Sequence, residues 1–112
     1  MAVTPAVLIA AKQAEDSQTT QYTAATGTKV LIDKFTATNT TGSAATISVN
    51  LVTSAGSAAD SNLILDAKSI AAGETYTCPE VVGHVLAAGD FISTLAGTAT
   101  AITIRASGRV VA

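Results

Sequence analysis

The chain has 112 residues, with 8 acids against 6 bases and a formal net charge of −2. Only 12% of the residues are charged, where an average soluble domain carries roughly 25%. Hydrophobic residues make up 48%, aromatics 4%, and Trp is absent; this composition argues against a nucleic-acid binder and against intrinsic disorder.

The polar surface must come largely from hydroxyls, because 23 Ala, 18 Thr and 9 Ser dominate the sequence. The length fits a single domain spanning 1–112, with 1–12 a candidate N-terminal arm. Thr4-Pro5 would suit a helix start, with Val7, Leu8 and Ala11 at helical spacing. The preferred alternative is a strand over Val7 to Lys12, paired through a hairpin at Glu15-Asp16-Ser17 with a strand over Gln18 to Thr23.

Lys29 to Asn39 is β-like. Ala44 to Thr53 alternates cleanly, with Ala45, Ile47, Val49 and Leu51 on one side and Thr46, Ser48 and Asn50 on the other. A period of two marks a strand with one buried face. The short loop Asn39 to Ser43 between the two runs predicts a β-hairpin. Asp60-Ser61-Asn62 reads as an Asx-type turn leading into a strand over Asn62 to Ile70.

A short strand, Glu74 to Cys78, is stopped by Pro79. Glu80 to Leu86 fits a helical turn or an irregular loop equally well. Phe91 to Leu95 and Ala99 to Ala106 complete the strands, and Gly108 ends the last one before a tail, Arg109 to Ala112. Ala72-Gly73-Glu74 and Ala88-Gly89-Asp90 share one turn chemistry. The fold class is therefore all-β: a single small β-sandwich, jelly-roll or Ig-like, of about 7–8 antiparallel strands, with a small barrel as the other architecture.

The charge-free run Phe35 to Ala59 is interrupted by hydroxyls and amides, so it does not predict a membrane span. The first residues lack the basic region of a secretory signal, so the chain is expected to stay where it is made. Cys78 is alone and reads as a buried hydrophobe. His84 is the only histidine and lies in an apolar stretch, which suits a structural or interface role better than a catalytic base. Zinc spacing, calcium-loop acids and phosphate-cradling glycines are all missing, so no cofactor, metal or catalytic residue is expected. Burying charge is costly, whereas hydroxyls and methyls are covered cheaply, and a surface of this kind suits docking on another protein.

Asp33 to Thr41 with the alternating strand to Val52, Ser69 to Tyr76, and Val82 to Asp90 resemble the small β-sandwich virion proteins of tailed bacteriophages. The likeness is strongest to capsid decoration (cement) proteins. It implies a non-enzymatic structural protein that is made in the host bacterial cytoplasm and placed on the capsid exterior. Its partners would be the major capsid protein and further copies of itself in a homo-oligomer, with no nucleic acid and no membrane. A neck, tail or head-fibre component, or a carbohydrate-binding β-sandwich module, is the alternative. The expected interface residues are Val3, Val7, Leu8, Ile9, Val82, His84 and Leu86. With few charges available, the composition predicts capsid binding that depends weakly on salt.

Overall fold

The structure is a computed structural model that describes residues 2–112. Its strands are β1 (Val3–Gln13), β2 (Thr19–Thr23), β3 (Lys29–Asn39), β4 (Ala45–Val52), β5 (Leu63–Ile70), β6 (Thr75–Tyr76), β7 (Val85–Leu86), β8 (Phe91–Ala96) and β9 (Ile102–Val111). They form two antiparallel sheets. Sheet A has the order β1-β9-β3-β6, with β7 also paired to β3, and sheet B has the order β2-β8-β4-β5.

The pairing is nested: β1 with β9, β2 with β8, β3 with both β6 and β7, and β4 with β5. That is the plan of a jelly roll, so the all-β sandwich expectation holds in its jelly-roll form. The strand beyond the expected eight is β7, which lies in the stretch that the sequence left open.

Apolar side chains from both inner faces fill the space between the sheets. Phe35, Ile32, Ile47, Ile92, Ile102 and Ile104 are fully buried. The alternation seen in the sequence is the burial pattern of β4 through Val49, and of β9 through Gly108.

Two expected hairpins are instead crossings between sheets. β1 pairs with β9 while β2 pairs with β8, and β3 belongs to sheet A while β4 belongs to sheet B. Asn39 explains the second crossing. Its side chain is fully buried; Nδ2 donates to the carbonyls of Ser43 (2.7 Å) and Ile70 (2.9 Å). Its Oδ1 accepts from the backbone N–H of Thr41 (2.9 Å) and from the Thr41 hydroxyl (2.7 Å). The amide thus builds a corner that turns the chain from one sheet to the other.

The last strand also differs from expectation. β9 runs through Gly108 to Val111. A Cβ at residue 108 would lie 1.9 Å from the Leu31 carbonyl oxygen and 3.1 Å from Leu8 Cδ1. Glycine is needed there because β3 bulges between Ile32 and Lys34, which brings its backbone onto β9. The two Ala-Gly-acid corners do share one chemistry: Glu74 N–H bonds the Ala71 carbonyl and Asp90 N–H bonds the Ala87 carbonyl (both 3.0 Å), with Gly73 at φ +73 and Gly89 at φ +85.

The β4–β5 connection folds over the outside of sheet B. Asn50 donates to the Ala59 carbonyl (3.1 Å) and to Asn62 Oδ1 (2.7 Å), and Gln18 bridges Asn50 and Ser93 from the other side. Asp60–Asn62 forms a 3₁₀ turn, where Asn62 Oδ1 accepts the Ala59 N–H and Nδ2 donates to the Ser57 carbonyl. Every buried side-chain polar atom among the described residues has a partner.

Candidate functional site

Among the described residues, the large hydrophobic residues that remain exposed are Val3 (56%), Val7 (53%) and Val85 (54%). All three lie on the outer face of sheet A. Register places Val3 beside Val111 and Lys29, and Pro5 beside Arg109, Leu31 and Val85. Val7 lies beside Ser107 and Lys34. One end of the face thus carries apolar side chains on its edge strands β1 and β7, with Leu31 and Val111 between them and Arg109 and Lys29 interleaved. Its other end carries Arg105, Thr36, Thr103 and Thr38, which alternate outward with the buried core positions.

Set into the apolar end is a bidentate ion pair. Arg109 Nε and Nη2 each stand 2.9 Å from a carboxylate oxygen of Asp33. The guanidinium holds the Asp33 carboxyl below the usual carboxylate range, and Arg109 is raised in turn. With both charges matched, covering this spot costs less than covering either charge alone. Pro5, Val7, Asp33, Ser107 and Arg109 border a depression of about 480 Å³ over the small residues Ala6 and Gly108.

The edge of β1 is less suited to docking than its face. Ala2 and Ala112 exchange both backbone hydrogen bonds (2.8 and 2.9 Å). By antiparallel alternation Thr4 and Ala6 then bond to β9, while Val3, Pro5 and Val7 turn their backbone groups to the open edge. Pro5 has no N–H to offer there, which blunts strand addition.

The expected interface residues divide. Val3 and Val7 are exposed on the face just described, His84 is exposed beside β7, and Val82 is partly buried. Leu8, Ile9 and Leu86 belong to the core, at 5%, 3% and 2% exposure. A register shift between Val7 and Ile9 turns both Leu8 and Ile9 away from solvent. Leu31, Val85, Val111 and the Asp33–Arg109 pair were not anticipated. Two-residue β7 is too short to show a period, and Val111 was assigned to a tail.

A second polar group lies at the open side of the sandwich, between the edge strands β5 and β6. Lys68 Nζ sits 4.9 Å from the centre of the Tyr76 ring, and Tyr76 donates its hydroxyl to Glu80 (2.5 Å). That bond pushes the Tyr76 hydroxyl up to about 12 and holds Glu80 low. Cys78 is fully buried, and burial, then Glu80, pushes its thiol up to about 12. The neutral thiol is a poor nucleophile.

Both Tyr76 and Cys78 are acids whose folded pKa lies above the unfolded value. Their contribution to stability is complete below about pH 9 and is lost as pH rises toward about 12. Urea midpoints should therefore fall between pH 8 and roughly pH 11, and Cys78 should react with a thiol reagent only as the chain unfolds. Fast labelling in the native protein at pH 8 would contradict this.

Among the described residues no three His, Cys, Asp or Glu side chains are grouped to hold a metal ion. Nor, among the described residues, is any helix long and apolar enough to cross a membrane. In comparisons with protein-family models, curated proteins and solved structures, the chain has no significant match.

Proposed function

We propose that this chain is a non-enzymatic virion structural protein of a tailed bacteriophage. It decorates the capsid exterior by binding the major capsid protein lattice, as a homo-oligomer whose own contacts leave the outer face of sheet A free. The observation that carries this reading is that face: exposed valines gathered on one side of a sandwich with only 12% charge. The sequence resemblance points the same way, and jelly rolls are a recurrent architecture of viral capsid domains, among other uses.

The mechanism is linkage. A protein that binds the assembled lattice and not its dispersed subunits stabilises the lattice by mass action. Several modest contacts held together by the oligomer add through high effective concentration.

The test is to add purified protein to mature particles lacking it, count bound copies, and heat the particles until DNA escapes. Decoration predicts saturation on the order of hundreds of copies, following the lattice symmetry, and DNA release at a higher temperature. Saturation at about a dozen copies would instead assign the chain to a neck or tail ring of defined symmetry. No binding to particles would overturn both.

A further inference from the structure

We infer that the outer face of sheet A docks on a protein surface that presents acidic side chains flanked by apolar ones, leaving sheet B facing solvent. The identity of that surface as the capsid lattice rests on the function proposed above; its chemistry rests on where the charges lie.

Four of the six bases, Lys29, Lys34, Arg105 and Arg109, project from this face, with Asp33 as the single acid. The face therefore carries a formal +3 although the whole chain is −2. The remaining seven acids and two bases give −5 to the rest of the molecule, including Asp60 and Asp66 outside sheet B. Lys29, Lys34 and Arg105 are exposed and hold no side-chain hydrogen bond or ion pair within the chain among the described residues. Charges so placed are free to meet a partner and to steer it.

A second copy fits this face poorly in either orientation. Face A against face A sets +3 against +3. Face A against the outside of sheet B matches charge, but Val3, Val7 and Val85 then meet a surface with no exposed large hydrophobic residue among those described. The partner that satisfies both halves is a different protein, with acidic side chains to meet β9 and β3 and apolar ones to meet β1 and β7. This placement replaces the weak salt dependence expected from composition: segregated charge makes docking weaken as ionic strength rises.

The experiment compares two triple variants of equal net charge on particles lacking the protein. Lys29→Gln/Lys34→Gln/Arg105→Gln removes the free bases of face A. Thr20→Glu/Thr23→Glu/Ser69→Glu adds three acids at exposed positions outside sheet B. Circular dichroism and urea midpoints check that both fold.

The face-A variant should bind at least tenfold more weakly, the sheet-B variant within about twofold of wild type. Raising salt from about 0.05 M to about 0.5 M should weaken wild-type binding and leave the face-A variant little changed. Equal losses in both variants, or no loss in either, overturn the docking face while leaving the capsid reading standing. Wild-type protein that ignores particles overturns the capsid reading and this inference with it. Salt-sensitive self-association of the purified chain, abolished by the face-A variant, would mean that a second copy occupies the face.

Discussion

Replacing Gly108 by alanine is expected to remove about 3 kcal/mol or more of stability, a large share of what a domain of this size has. The reason is geometric. The new Cβ would overlap the Leu31 carbonyl, 1.9 Å away, which is backbone and cannot rotate aside. Relief requires β9 to separate from β3 at the centre of sheet A, where the bulge at Ile32/Lys34 is seated. At roughly 4–8 °C per kcal/mol for a domain of 60–100 residues, the melting temperature should fall by more than about 10 °C. Gly42→Ala is the control: nothing lies within 4 Å of its Cβ position, and the change should stay within about 0.5 kcal/mol. Equal midpoints for the two variants would show that the β3–β9 approach does not depend on a missing side chain.

Asn39→Ala should cost about 2–4 kcal/mol, because it removes both buried amide donations, to the Ser43 and Ile70 carbonyls, and frees the Thr41 corner. Asn39→Asp is the sharper variant. It keeps the oxygen that accepts from Thr41 but turns a second oxygen toward the carbonyls of Ser43 and Ile70, in a site with no solvent. A buried carboxylate facing acceptors is strongly disfavoured, so its pKa rises. The sign follows from that shift: Asn39→Asp should be most destabilised above its raised pKa and recover in part as pH falls, when the protonated acid can donate one bond. Equal midpoints for wild type and Asn39→Asp across the pH range would mean that the amide donors do not hold the crossing.

These two residues also mark where the sequence stops being readable. Strands β3, β4, β5, β8 and most of β9 are legible because each alternates or bears a dense apolar run between turn residues. Pairing is not legible. A strand with one apolar side satisfies the same pattern whether its neighbour in sequence lies beside it in the sheet or opposite it across the core. The Asn39–Ser43 loop has a length that suits either geometry, and only the burial of the Asn39 amide distinguishes them.

Gly108 failed as a guide for a related reason. A glycine within a strand can end it or admit a close backbone, and the sequence does not say which partner approaches. The candidate face shows the same limit. Val3 and Val7 were identified, but Leu8 and Ile9 were grouped with them because a register shift in β1 leaves no trace in residue type. The charge asymmetry was invisible for a different reason: Lys29, Lys34, Arg105 and Arg109 are scattered along the chain and converge only when β9 lies against β3.

That β9 lies between β1 and β3 has a consequence for how the chain is made. β1 bonds to β9 from Val3 to Gln13 across two register shifts, and β3 bonds to that same strand. Sheet A cannot assemble until Ile102–Val111 has left the ribosome, so β1 and β3 wait until then with their apolar sides unpaired. Nested long-range pairing is slow to find, and waiting strands are prone to pair with other chains. The interrupted donor row at Pro5 works against such pairing at the open edge of β1.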